Sequence, residues 1–527
     1  MTSPGRYWFE SFFEFWTRSR IGRALSIMVT STLRLIHHSF PNTLQQRSHH
    51  VNERRFEKTM DGFAAEVRAL FESPLADNRL LQMSTQLQQE YRQRLQDSDI
   101  CMLPSYMHSL PSGNELGDFL ALDVGGSTFR IALIRLAGFK NGNDTLQIRQ
   151  IRSFVIDKKI RDLKGLAFFN WMAERIEEIL SEYNQMEGTT NAHLEMGLAW
   201  SFPIDQTSPR SGKVLAMGKG FNATHGVEGR DLSELIMEAC SARGLNVQMR
   251  AIVNDSAATL LAQAYRNPST RMSLILGTGT NVGIYLPVSA LAKERFGDRP
   301  ESWFSVANEV LVNTEISMFG KHILPTTKWD DELNAKCARP DFQPFEYLTT
   351  GRYLGEIVRL VLVDAITNAG LFEGHMPDRL NEPYAFDTKI IAAFESDKSQ
   401  TLSTASALFL KSHPLRITPR PSELRFIRNV SQWVSHRATT YLAVVLHALW
   451  AFRTAEEGSQ IGKDMEMAVA CHGTIIEKYP QFLLNTQQQL DDLCLLSGAK
   501  KGAVALEIAP ESSIFGAAVA VACIQDP

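Results

Sequence analysis

The 527-residue chain has no apolar run approaching the ~20 residues that a membrane-spanning helix needs. Cysteine is scarce: six, at Cys101, Cys240, Cys337, Cys471, Cys494 and Cys523. They form no C-x-x-C pair and no His/Cys cluster, which argues against a zinc site. Thiols this sparse in a long chain fit a reduced, intracellular protein better than a disulfide framework, and N-x-[ST] triplets such as those at Asn143 and Asn222 carry no meaning there. Neither charge is in surplus: 54 Lys+Arg against 58 Asp+Glu give −4, so nothing electrostatic points to nucleic acid. There is no Walker A loop and no G-x-G-x-x-G dinucleotide turn. With 44% apolar and 21% charged residues, wholesale disorder is excluded. The length suggests about three domains or two large lobes.

Residues 1–50 differ from the rest. They hold six arginines (Arg6, Arg18, Arg20, Arg23, Arg34, Arg47), no lysine, and only Glu10 and Glu14 as acids. Aromatics crowd residues 7–16, and Ile21, Leu25, Met28, Val29, Thr32, Leu35 and Ile36 recur at helical spacing. No secretory core with a cleavage site stands out. An Arg-rich, acid-poor, amphipathic lead fits mitochondrial targeting or a peripheral membrane contact. A helix packed on the body, or a tail, accounts for it equally well. The expected location is cytoplasmic or mitochondrion-associated, with a nuclear one left open.

Beyond residue 55 the hydrophobic period alternates between helix and strand. Phe63, Val67, Leu70 and Phe71 share a helical face. Strands are expected at Phe119–Val124, Arg130–Leu136, Gln147–Ile156, Leu194–Trp200 and Gln248–Val253. A second series follows at Met272–Leu276, Val282–Leu286, Met467–Ala470 and Ala503–Ile508, with a last helix from Gly516. A strand, a glycine turn and a returning strand occur twice, after Asp123 and after Leu276. This repetition suggests two related α/β lobes with a cleft between them.

Four groups of residues could carry chemistry. In Asp123-Val124-Gly125-Gly126-Ser127-Thr128-Phe129-Arg130, glycines after a buried strand let backbone N–H groups approach phosphate oxygens, while Ser127, Thr128 and Arg130 add donors. Asp123 could hold a metal ion, directly or through water. Alone, the segment is equally a glycine β-turn. Asn254-Asp255 follows a strand and opens a helix, so Asp255 is a candidate general base or a plain N-cap residue. Ser201 and Pro203, and Gly218-Lys219-Gly220, lie on turns. Glu315 and Glu356 are isolated glutamates.

In this order and spacing the segments resemble the hexokinase family, from about residue 56 to residue 523. Gly117-Asp118-Phe119-Leu120-Ala121, Val227-Glu228-Gly229-Arg230-Asp231, Gly277-Thr278-Gly279-Thr280-Asn281, Tyr353-Leu354-Gly355-Glu356 and Lys478-Tyr479-Pro480 support the match. The resemblance implies a two-lobed, ribonuclease H-like, actin-like ATPase fold of the α/β class. An extension (1–55) would precede an N-terminal part with the small lobe (56–255) and a C-terminal part forming mainly the large lobe (256–527). By the same resemblance Ser201, Pro203, Asn254, Asn281, Glu315 and Glu356 would line a hexose, and Asp255, with Lys219, would be catalytic. Asp123, Gly125, Gly126, Ser127, Thr128, Arg130, Thr278, Gly473 and Thr474 would face ATP, with Mg²⁺ held indirectly by Asp123.

The chain departs from the family pattern mainly on the nucleotide side. His472-Gly473-Thr474 stands where Asp-Gly-Ser is usual, and Glu511-Ser512-Ser513-Ile514 where Asp-Gly-Ser-Gly is usual. If Ser512 or Ile514 must take φ > 0, the strain is roughly 1–3 kcal/mol. Gly218 replaces a sugar-contacting threonine, Thr128 an asparagine, and Ile316-Ser317 an aromatic residue and glycine. The expected function is ATP-dependent phosphorylation of a glucose-like hexose to its 6-phosphate, with weakened nucleotide binding. The alternative is a catalytically weak sugar sensor acting through a regulatory partner.

Overall fold

The computed structural model describes residues 56–138, 145–188, 193–215, 217, 220–458 and 466–524. The basic extension, Asn143, Gly218 and Lys219 lie outside the described residues. Helix α1 (Met60–Glu72) opens on Thr59, whose side chain accepts from Gly62 N–H, and buries Phe63, Val67 and Phe71. Then come α2 (Asp77–Asp97), β1 (Leu103–Pro104), β2 (Leu116–Val124), β3 (Thr128–Ala137), β4 (Leu146–Val155), α3 (Leu166–Glu187) and β5 (Leu194–Trp200). A small hairpin, β6 (Ile204–Ser208) and β7 (Ser211–Val214), precedes α4 (Leu232–Ser241) and β8 (Val247–Val253). Helix α5 (Asp255–Arg266) leads to β9 (Thr270–Leu276), β10 (Thr280–Pro287) and β11 (Glu309–Asn313). A helical block contains α6 (Gly351–Ala369), α7 (Thr388–Ser396) and α8 (Pro421–Glu456). The described chain closes with β12 (Met467–His472), α9 (Thr474–Lys478), α10 (Phe482–Leu496), β13 (Val504–Ile508) and α11 (Ser512–Cys523).

Two sheets repeat one topology. The small-lobe order is β4-β3-β2-β5-β8, with an antiparallel meander on one side and parallel β2, β5 and β8 on the other. The large-lobe order is β11-β10-β9-β12-β13, again a meander joined to parallel strands, with β1 added at the β11 edge. The duplicated hairpin thus belongs to a duplicated sheet, and the architecture is the two-lobed actin-like ATPase fold.

Strand alternation divides the packing of the small sheet. Leu120, Leu122 and Val124 face the cluster containing Phe168, Phe169 and Met172 of α3. Ala121, Ala132, Ala199 and Ala251 face the other way, onto α11, which in turn packs on α5. Small side chains there let α11 lie close to the sheet. At Gly516 a Cβ would stand 1.9 Å from the carbonyl oxygen of Ala258, so only glycine permits this crossing of α5 and α11. The segment 60–102 packs with the large sheet: Phe63, Leu87 and Met102 share a core with Met272 and Val310.

Two expectations need correction. The last helix begins at Ser512, four residues before Gly516, because Ser512–Phe515 are buried and continue the helical packing. The positive φ falls on Glu511 (53°), not on Ser512 or Ile514, so the strain expected of the β-branched residue does not arise. Among the described residues no helix is long and apolar enough to cross a membrane.

His447 on α8 is 2% exposed and bridges Ser84 of α2 (2.8 Å) and Ser497 after α10 (3.0 Å). Burial lowers its pKa to about 4, against roughly 6.5 for an exposed histidine. Between those values the unfolded chain binds a proton that the folded one refuses, so stability is lost as pH falls through this window. Urea midpoints are expected to drop between pH 7 and pH 5, and less steeply in His447→Gln. Equal slopes would contradict this account.

Candidate functional site

The site is built on the ends of strands that carry buried apolar runs. At the end of β2 the Gly125 N–H donates to Thr128 O (3.0 Å), closing the hairpin turn, and Ser127 is exposed at its tip. Asp123, 8% exposed, accepts from Arg130 Nε (2.8 Å) and from the terminal guanidinium nitrogen (2.5 Å). Arg130 also donates to Glu511 (2.7 Å) at the head of α11. Burial raises the pKa of Asp123; Arg130 and His472 oppose the shift, and Glu511 adds to it. Asp123, Arg130, His472 and Glu511 therefore form one electrostatic group.

His472 Nδ1 and Gly473 N–H both meet Glu477 Oε1, each at 2.8 Å. Gly473 has φ 124°, and a Cβ there would stand 2.4 Å from Leu276 O, so the turn after β12 requires glycine to reach the turn after β9. Thr474 and Thr278 are exposed on these two turns. Gly351 N–H donates to Gly277 O (3.3 Å), and Glu346 accepts from Thr280 N–H (3.3 Å), which fixes the second glycine turn against α6.

A second group sits where β8 and β11 end and β10 begins. Asn254 caps α5, its side-chain oxygen accepting from Ala257 N–H (2.7 Å), and Asp255 opens the helix with Oδ1 accepting from Ser256 N–H (2.8 Å). Asn281 donates to Asn313 (2.8 Å), which donates to Glu315 (2.8 Å). Burial raises the pKa of Glu315, the Asn313 bond opposes it, and the charge of Asp255 adds to it, so the two carboxylates are electrostatic neighbours. Glu315 is held at φ 50°, an unusual conformation for a non-glycine residue.

Not every expected residue joins these groups. Glu356 is 4% exposed and committed to Arg359 through two bonds (2.7 and 2.6 Å) and to Tyr384 N–H (2.6 Å). Ser201 is half-buried, its N–H on Val124 O (3.2 Å) beside the first glycine turn, and Pro203 is exposed. Sequence reasoning missed Asn313, Glu346 and the pairing of Glu511 with Arg130. Asn313 left a signal: it is the polar residue that closes the apolar strand Val310–Val312. Its loss should raise the pKa of Glu315 further. In Asn313→Ala, the infrared carboxylate band that is absent from Glu315→Gln should titrate at higher pH than in the unmodified protein; an unmoved or lower midpoint would refute the assignment.

Family models described as Hexokinase match residues 66–265 and 271–523. Hexokinase-2, chloroplastic, of Nicotiana tabacum is 31% identical over 430 residues, covering 81% of this chain and 82% of that protein. The hexokinase of Kluyveromyces lactis is 30% identical, with 81% and 84% covered. The solved hexokinase of Schistosoma mansoni complexed with glucose is 26% identical and superposes with a TM-score of 0.71, over 89% of this chain and 100% of that one.

Proposed function

The chain belongs to the hexokinase family, and on that premise we propose that it transfers the terminal phosphoryl group of ATP to the primary hydroxyl of a glucose-like hexose. The observation that carries this reading is the hydrogen-bonded row Asn281–Asn313–Glu315 ending beside Asp255. A polyol needs several fixed polar groups, because each one left unpaired in a dry site is costly. Asn254, Asn281, Glu315, Ser201 and Pro203 line the hexose in this proposal. Glu356 would have to give up a contact with Arg359 or Tyr384 to join them.

Asp255 acts as the general base. It stands in the first turn of α5, whose start Asn254 fixes. The sugar oxygen bonds to phosphorus, the bond from phosphorus to the ADP oxygen breaks, and the hydroxyl proton passes to Asp255. Lys219 stands by the transferring group. Gly125, Gly126, Ser127, Thr128, Thr278, Gly473 and Thr474 supply backbone and hydroxyl donors to the phosphates. For Mg²⁺ the candidate is Asp123, with no cluster of three acidic, histidine or cysteine ligands among the described residues. That fits an ion that arrives with the nucleotide and keeps its waters. When bound, it would neutralise charge on the phosphates.

Asp255→Asn is expected to keep glucose binding in calorimetry and to lose about 10²–10⁴ in kcat. A rate within threefold of the unmodified enzyme would remove Asp255 as base.

Arg130 shared between Asp123 and Glu511 supports weakened nucleotide binding. Glu511 is half exposed, so the pair is worth up to roughly 1 kcal/mol, and Glu511→Gln should lower the KM for ATP about two- to fivefold. An unchanged or raised KM would show that Glu511 does not compete for Arg130. The same contact supports a second reading, a sugar-binding regulator with little turnover. Saturable glucose binding without ATP binding in calorimetry would favour it, and ordinary turnover would dismiss it.

A further inference from the structure

Away from these strand ends, the helical side of the large lobe contains a cavity of about 290 Å³, near the lower end of the range for small-molecule sites. Its lining is mostly polar: Glu395 from α7, Gln432, Ser435 and His436 from α8, and Gln481 and Asn485 at the entry to α10. Glu395 Oε1 accepts from the buried Tyr479 hydroxyl at 2.6 Å, and Ser435 gives a further hydrogen bond. Among the described residues no lysine or arginine pairs with Glu395. The buried carboxylates Asp123, Asp330 and Glu356 each have an arginine. Burial without such a partner raises the pKa of Glu395 to about 7. What this carboxylate lacks is a cation, and the open cavity beside it is where one fits.

We propose that the cavity binds a small organic cation, a primary ammonium that also carries a hydroxyl or amide group. The ammonium has three donors, which Glu395, the Ser435 hydroxyl and a side-chain amide oxygen of Gln432 or Asn485 can accept. Its polar group meets Gln481 and the remaining amides. A bare metal ion is a poorer occupant, because the site offers a single carboxylate.

The cavity adjoins the nucleotide turn through one short element. α9 is capped by Gly473 at its start and by Tyr479 at its end, and the Tyr479 hydroxyl holds Glu395. An occupant that pulls on Glu395 therefore acts on α9, and its binding should alter the KM for ATP. This coupling rests on the nucleotide role proposed for Gly473 and Thr474; the cation site itself does not.

The test is calorimetric titration of the full-length protein with ethanolammonium in phosphate buffer at pH 8, with ethylene glycol and acetate as neutral and anionic controls. Saturable binding of ethanolammonium alone is expected. It should weaken at least tenfold in Glu395→Gln, and at least tenfold in unmodified protein at pH 5.5. Of the groups facing Glu395, Tyr479 stays neutral over this range. His436, with Glu72 beyond it, gains its proton on the acid side, which also repels the cation, so both titrations act in one direction. Absent binding at pH 8, equal binding by Glu395→Gln, or stronger binding at pH 5.5 would overturn the site. If Glu395→Gln does not fold, the two pH values on unmodified protein decide. An ATP KM that ethanolammonium leaves unchanged, where binding is intact, would overturn the coupling.

Discussion

The contact at which α11 crosses α5 sets the geometry of everything else. α11 lies on the alanine face of the small sheet, α5 lies between α11 and the large sheet, and the Gly516–Ala258 approach leaves no room for a side chain. Through α5 this crossing joins β8 of one sheet to β9 of the other. The first residue of α5 is Asp255, and the residue before α11 is Glu511. One packing constraint therefore positions the candidate base and the acid on Arg130. The buried Thr259–Ser512 hydroxyl contact (2.9 Å) closes the same junction.

The two residue groups differ in how they manage buried charge. On the sugar side, Glu315 is held by a neutral amide, Asn313, itself held by Asn281, while the charge of Asp255 raises the proton affinity of Glu315. On the nucleotide side the chain uses ion pairs, with Asp123 and Glu511 sharing Arg130. A polyol presents hydroxyl groups and suits the first arrangement. A polyphosphate presents negative charge and must contend with the second. The reading of weak nucleotide binding rests on this difference.

Much of the frame could be read from the residues alone because the signals were local. The runs ending at Val124 and Val253 are stopped by glycine and by Asn-Asp, Leu194–Trp200 by Ser201-Phe202-Pro203, and all three appear as strands. Asp231 caps its helix as its position before an amphipathic run suggests, whereas the cap offered for Asp255 falls one residue earlier, on Asn254. The start of α11 was not visible, because Ser512-Ser513 resembles loop sequence and becomes helical only through burial against α5. Arg130 and Glu511 are separated by 381 positions, and Glu395 and Tyr479 by 84. Such pairings depend on tertiary packing and leave no trace in spacing. Asn313 is intermediate: its polarity after Val310–Val312 was visible, but its bridging role needed the β10–β11 register.

The placement of α11 on the small sheet also bears on how the chain is made. All five strands of that sheet have been synthesised by residue 253, but the helix that covers its alanine face is not translated until residues 512–523. At ribosomal rates of roughly 5–20 residues per second, the interval is on the order of 13–50 seconds. During that time an apolar surface emerges from the exit tunnel uncovered. The alanine face of the nascent lobe therefore stays open until α11 has been made.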